Sequence, residues 1–427
     1  MQLKKWHTMI GRPAENELSH GGDIMTSFVA MEKVTQFELR LAERMSRLGT
    51  ETAFEVLNKA RALERQGKDI VHLEIGEPDF DTPKDIVEAG IGALKAGWTH
   101  YGPAAGLPEL RQAIADDVER SRGVKVTSDW VVVVPGGKPI IFFTILALAD
   151  VGDEVIYPNP GFPIYESMIH YVGAKAVPIR LWEEKDFSLD VEELAHLITD
   201  RTKLIILNSP HNPTGGTLSQ RDIKGITAAI GDRNIMVLSD EIYSRLMFDG
   251  ARHHSIMSEP GFKERTILLD GFSKTYAMTG WRMGYGVMRS DLATHIARLM
   301  TNSTSCTASF TQIAGIEAIR GSQTPVDRMR AEFQKRRDMF VMGLNRIKGF
   351  SCRVPKGAFY VFPNISKTGW KSKKLADALL EEAGVACLSG TAFGDYGEGY
   401  LRFSVANSLE NLMKALERVD QWTKANL

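Results

Sequence analysis

From about residue 70 onward the chain alternates short β-branched runs with helix-like stretches, and this alternation constrains its fold more than any other feature. The runs are VHLEI (71–75), VVVV (131–134), EVIYP (154–158), KLIILN (203–208), IMVLSD (235–240), TILLDG (266–271) and GYGV (284–287). Most are continuously apolar, as strands covered on both faces must be. Between them, 107–121 and 220–232 carry helical spacing. Strand and helix in turn predict an α/β lobe on a mostly parallel sheet. Beyond about residue 310 the pattern changes. It predicts a long helix over 311–344, short strands near SCRVP, AFYVFP and YLRFSV, and further helices, a second lobe of α+β type. A helix is also predicted over 37–66, with apolar residues at Leu39, Leu41, Met45 and Leu48, then at Phe54, Leu57, Ala60 and Leu63. Residues 1 to about 30 lack periodicity and contain Gly11, Pro13, Gly21 and Gly22, so a poorly ordered arm is expected there. Met25 and Met31 offer alternative starts.

Composition removes several function classes. The 427 residues hold 52 Lys+Arg against 53 Asp+Glu, a balance that argues against a broad nucleic-acid surface. The three cysteines, Cys306, Cys352 and Cys387, cannot form a disulfide framework, so a reducing compartment is expected. The longest apolar run, 140–149, falls well short of the roughly 20 residues that cross a bilayer. The opening MQLKKWHTMIGRPAENEL is basic but has no apolar segment, which reads as no secretory signal and a cytoplasmic protein. His253 and His254 are adjacent, without metal-ligand spacing around them, and no metal site is expected.

In open α/β sheets, ligands bind beyond the carboxyl ends of the strands, so the residues after each run form one set. VVVV is followed by Pro135-Gly136-Gly137-Lys138, where two glycines let backbone N–H groups approach an anion at a helix start. KLIILN is followed by SPHNPTGG (209–216), in which Asn212 is a fixed donor within a turn-rich loop. IMVLSD ends on Asp240, a carboxylate that is costly to bury without a cation, with Tyr243 close behind. TILLDG leads into FSKTYAMTGWRMGY (272–285), where Lys274 stands among small and apolar residues. Burial lowers a lysine pKa and leaves more of the nucleophilic amine. Arg282, with its planar fork, suits phosphate oxygens. Taken singly, each feature has a structural reading: a connection, a helix cap, a solvated side chain. Together they match the needs of pyridoxal phosphate.

The segments IGEPDFDTP (75–83), THYGPAAGLPELR (99–111), NSPHNPTG (208–215), SDEIY (239–243), SKTYAMTGWRMGY (273–285) and LRFSVA (401–406) resemble the class I/II aminotransferases, fold-type I pyridoxal-phosphate enzymes, from about residue 45 to the end. The resemblance implies a large domain over 76–310, with a mostly parallel seven-stranded sheet covered by helices. It also implies a smaller α+β domain from 36–75 plus 311–427, with 1–35 as the arm. It implies that Lys274 forms the internal aldimine and shuttles the proton between substrate Cα and cofactor C4′. Asp240 would pair with the ring nitrogen, Tyr243 and Asn212 would hold the ring's phenolic oxygen, and Phe162 would stack on the ring. Gly136, Gly137, Lys138, Ser273 and Arg282 would bind the phosphate. Tyr101 would reach the phosphate of the neighbouring subunit of a homodimer. Arg402 would clamp the substrate carboxylate, and Gly76 would approach it through its backbone. Cis peptides are implied at Asn159–Pro160 and Asn212–Pro213. One position departs from the family pattern: Gly271 stands where many relatives carry serine.

The implied reaction moves an amino group from an L-amino acid to a 2-oxo acid by a ping-pong mechanism. The stretch TNSTSCTASFTQ (301–312) contains neither Arg nor Lys to read a distal carboxylate, whereas Lys138 is available for it. The expectation is therefore an aspartate-like or broad donor with 2-oxoglutarate or pyruvate as acceptor, and no nucleic-acid or membrane partner. The alternatives are another pyridoxal-phosphate reaction on the same scaffold, such as elimination, replacement, cyclisation or carbon–carbon bond formation, and a non-catalytic binding protein.

Overall fold

The computed structural model describes residues 38–427, so the expected arm at 1–35, with Met25 and Met31, lies outside the described residues. The strands in chain order are β1 (Val71–His72), β2 (Val131–Val134), β3 (Glu154–Asn159), β4 (Lys175–Trp182), β5 (Ser188–Leu189), β6 (Thr202–Asn208), β7 (Met236–Asp240), β8 (Thr266–Gly271), β9 (Gly284–Val287), β10 (Tyr360–Val361), β11 (Val385–Ala386), β12 (Leu388–Ser389) and β13 (Leu401–Ser404). The largest sheet has eight strands in the order β2-β9-β8-β7-β6-β3-β4-β5. The run β8-β7-β6-β3-β4 is parallel, while β9 is antiparallel to both its neighbours and β5 to β4.

The four valines of β2 show why such runs are apolar throughout. Val131 and Val133 pack on one face with Leu110, Ile114 and Ala314, from helices Pro108–Arg122 and Ser309–Arg320. Val132 and Val134 pack on the other with Ile140, Ile145 and Ile169, from helices Lys138–Leu148 and Ile164–Val172. Successive side chains point to opposite faces, and both faces are covered. Because β2, β3, β6, β7 and β8 run the same way, their carboxyl ends share one edge. The reversed β9 begins at that edge, which brings Arg282 beside them.

Five expectations need correction. The seven-stranded sheet has an eighth, two-residue strand, β5. The run at 71–75 is not part of it: β1 pairs in parallel with β11 in a separate two-stranded sheet. The predicted helix over 37–66 starts at Phe37, outside the described residues. It divides into a short 3-10 turn (Glu43–Arg47) and a helix (Thr52–Arg65), with Gly49 in the break. Met45 and Leu48 stay exposed there, so the apolar spacing of that half buries nothing in one chain. The predicted helix over 311–344 is two, Ser309–Arg320 and Thr324–Leu344. They separate at Gly321, and Pro325 starts the second, where its missing N–H is tolerated. SCRVP contributes only a single bridge, between Ser351 and Asn364.

The three-stranded antiparallel sheet β10-β13-β12 supports Arg402 on β13. Its side chains Val361, Leu401 and Phe403 share a core with Phe340, Leu412 and Val419. Among the described residues, no helix is long and apolar enough to cross a membrane.

Candidate active site

A cavity of about 490 Å³ opens at the shared edge of the large sheet. Its lining includes Gly76, Gly137, Lys138, Phe162, Asn212, Asp240, Tyr243, Ser273, Lys274, Arg282 and Arg402. Eleven of the thirteen sequence-predicted site residues thus share one space. Gly136 borders it, since a side chain there would run into the guanidinium of Arg282. Tyr101 does not line it and is 87% exposed, the most outlying of the set.

Lys274 sits in the four-residue helix Phe272–Thr275 that follows β8 directly, which fixes its place at the sheet edge. Its Nζ donates to the Gly76 carbonyl at 2.5 Å. Burial pushes the amine down to about 8; Glu77 opposes the shift, and Arg402, Arg282 and Lys138 reinforce it. An amine of that kind is a competent nucleophile near neutral pH.

Asp240 is the last residue of β7 and is buried. Its Oδ2 accepts from the Tyr165 hydroxyl at 2.6 Å, and its Oδ1 accepts from the Ile242 N–H at 3.2 Å. Burial pushes its carboxyl up to about 6, against the pull of those two bonds. A carboxylate placed this way lacks a cation, and a protonated ring nitrogen would supply one. The neighbouring acid, Glu241, is held elsewhere: its Oε2 accepts from Arg122 Nε at 3.1 Å and faces His253 Nε2 at 2.8 Å. The two acids of SDEIY thus divide into a cavity group, Asp240 at the strand end, and a structural one, Glu241 just beyond it.

Tyr243 is buried, and its hydroxyl meets that of Tyr360 at 2.7 Å. Asn212 follows a cis bond-bearing turn: peptides Asn159–Pro160, Ser209–Pro210 and Asn212–Pro213 are all cis, the second of these unanticipated. Arg402 Nη1 donates to Asn212 Oδ1 at 3.3 Å, and Nη2 donates to the Glu74 carbonyl. The guanidinium lies 4.5 Å from the Tyr360 ring centre and 4.9 Å from that of Phe393. Its Nε–H is buried without a partner, a donor held for something that enters the cavity.

Three glycines crowd together where the expected serine is replaced by Gly271. Gly271 on β8 pairs with Gly284 on β9, and a Cβ at 271 would stand 3.0 Å from the Gly284 Cα. A Cβ at Gly284 would in turn meet the Gly136 carbonyl carbon at 2.8 Å. A side chain at 271 would require its neighbours to give by a few tenths of an ångström, and glycine there lets the backbones lie close. Ser273 and Arg282 remain beside Gly136 and Gly137 at the start of helix Lys138–Leu148, which is a suitable cradle for a phosphate. The lysine amine, the unneutralised buried carboxylate, the phenol and amide, and this cradle fit pyridoxal phosphate as a set.

Half of the residues lining the cavity are not singled out by the sequence, and two of these, Tyr360 and Glu51, with the supporting Tyr165, show why. Tyr165, three positions after Phe162, was hidden within an apolar helix pattern. Tyr360 lies in AFYVFP, which reads only as a strand. Glu51 was absorbed into the continuous helix predicted over 37–66. Among the described residues no cluster of potential metal ligands is present.

Comparison with known proteins agrees with this geometry. Residues 68–419 match the family model "Aminotransferase class I and II". The chain is 41% identical over 383 residues to an aspartate aminotransferase of Pyrococcus horikoshii, covering 89% of this chain and 96% of that one. It is 35% identical to aromatic-amino-acid aminotransferase 2 of Thermococcus litoralis, covering 90% and 99%. The crystal structure of the aspartate aminotransferase from Rhizobium meliloti superposes with a TM-score of 0.87 at 36% identity, over 91% of this chain and all of that one (100%). With sequence motifs, site geometry and these matches in agreement, the chain belongs to the class I and II aminotransferases, pyridoxal-phosphate enzymes of transamination.

Proposed function

We propose that this enzyme transfers the amino group of a broad set of L-amino acids to a 2-oxo acid such as 2-oxoglutarate or pyruvate, with Lys274, Asp240 and Tyr243 as its catalytic residues. The observation that carries the reading is the meeting of Lys274 Nζ, the buried Asp240 carboxylate and the unpartnered Arg402 Nε–H around one cavity. Pyridoxal phosphate supplies an electron-accepting ring that stabilises negative charge at a substrate's Cα. The chain's own residues do the rest. Arg402 receives the substrate α-carboxylate, with the Gly76 backbone beside it, and so orients Cα towards Lys274. Lys274 would accept the proton from the substrate Cα and hold it for return, acting as base and then acid. Asp240 keeps the ring nitrogen protonated, and Tyr165 keeps Asp240 in place. Asn212 and Tyr243 would hold the ring oxygen, Phe162 would cover the ring face, and the backbone N–H groups of Gly136, Gly137 and Lys138, joined by Ser273 and Arg282, would hold the phosphate.

A broad donor range draws support from relatives named for aspartate and for aromatic amino acids, and from the apolar lining residues Ala53, Phe54, Ile75 and Ile141. Within 42–427, the separate small sheets support the expected division between a smaller domain, to which the segments up to 75 and 311–427 contribute, and a cofactor-binding domain over 76–310. A cytoplasmic homodimer is part of the same proposal, with Tyr101 serving the partner's phosphate site. Single amino acids incubated with the holoenzyme, without acceptor, test the reading. One equivalent of 2-oxo acid per subunit, with no free ammonia, is expected; ammonia release or no reaction with any donor would overturn it.

A further inference from the structure

Glu51 and Lys138 form an ion pair inside the cavity wall, and no assigned role requires it. Glu51 stands at the N-cap of helix Thr52–Arg65, yet its side chain makes no capping bond there. Its carboxylate instead accepts from Lys138 Nζ, and its side chain is 22% exposed against 45% for the lysine. Lys138 Nζ also lies 5.5 Å from the ring centre of Phe162, so its ammonium stands over the region where substrate would enter. The charge of Glu51 is felt at Arg402 and Tyr360, which places it within range of a substrate held by its α-carboxylate. The other lining lysine and arginines already have proposed roles: Lys274, which donates to the Gly76 carbonyl, towards the cofactor aldehyde, Arg282, which donates to the Thr279 carbonyl, towards the phosphate, and Arg402, which donates to Asn212, towards the substrate α-carboxylate. The second lining carboxylate, Glu77, accepts from the Thr279 hydroxyl. Lys138 is therefore the cation a side-chain carboxylate would seek, and it is already neutralised.

We infer that Glu51 is a specificity-determining residue, a built-in competitor for Lys138 that lowers the preference of the site for acidic over uncharged side chains. The inference rests on the transaminase reading and deepens its broad donor range. A dicarboxylate must displace Glu51 and then lie beside it, two like charges near one ammonium. An uncharged side chain leaves the pair closed and packs on Phe54, Ile75 and Ile141.

The test compares succinate with butyrate, two unreactive acids that differ by one carboxylate, on the wild-type and Glu51→Gln holoenzymes by calorimetry. Succinate should bind the variant about three- to fivefold more tightly, the upper scale of a partly exposed ion pair, and butyrate should change less than about 1.5-fold. The ratio of kcat/KM for aspartate to that for 2-aminobutyrate should rise in step. Adding Lys138→Met to Glu51→Gln should abolish the gain for succinate. An unchanged or lowered succinate-to-butyrate ratio would overturn the inference, as would equal loss of both ligands, which would make Glu51 structural. Wild-type transamination with any donor leaves the functional reading standing in either case, so the two failures are distinguishable.

Discussion

At the scale of single residues, Asp240 carries the largest electrostatic demand. It is buried at a strand end, and of its two donors only the Tyr165 hydroxyl comes from a side chain. That bond favours the charged carboxylate, so removing it must raise the Asp240 pKa further. Tyr165→Phe is expected to lower kcat about tenfold, within the range of one hydrogen bond to a charged group, with little change in KM. On its proposed role Asp240 must be ionised for activity, so the acid limb of the pH–kcat profile should move to higher pH. An unmoved limb would show that Tyr165 only fills space. Asp240 was legible in the sequence because a lone acid at the end of an apolar run needs an explanation. Tyr165 was not, because a tyrosine in an apolar helix pattern looks like any core aromatic until its hydroxyl partner is seen.

At the scale of elements, continuous apolar runs were readable as strands because β2, β3 and β6–β8 are buried on both faces. β4 escaped notice for the opposite reason. Its burial alternates along the strand, and Lys175, Pro178 and Arg180 interrupt the apolar pattern. Nor could a short apolar run reveal which sheet it joins, and so VHLEI was assigned to the large sheet although β1 pairs with β11. β1 is also tied to helix Thr52–Arg65 by charge. His72 Nδ1 meets Glu74 Oε1 at 2.7 Å, and Nε2 meets Glu64 Oε1 at 3.1 Å. The bond to Glu74, chiefly, raises the imidazole to about 9, against the opposing effect of burial. The folded pKa exceeds the unfolded value of about 6.5, so this contribution is complete below about pH 6.5 and lost as pH rises through 9. Urea unfolding of wild type and His72→Gln should show a stability gap at pH 6.5 that closes by pH 9.5. A gap independent of pH would mean the imidazolium contributes nothing.

At the scale of the whole molecule, one chain brings together nearly all of the groups proposed to bind cofactor and substrate, and Tyr101 is the exception. A tyrosine 87% exposed and outside the cavity of its own chain affects cofactor binding only if a second subunit receives it. Tyr101→Ala is expected to weaken pyridoxal phosphate binding about tenfold, the scale of a hydrogen bond to phosphate, while the chain still folds. Unaltered affinity would contradict a shared site. The central claim concerns one amine, and its most direct measurement is chemical. Borohydride treatment of the holoenzyme, followed by peptide mass mapping, should fix the cofactor on the peptide carrying Lys274 at about one per chain, with none in Lys274→Ala. Label on another lysine, or none on the wild type, would contradict the account.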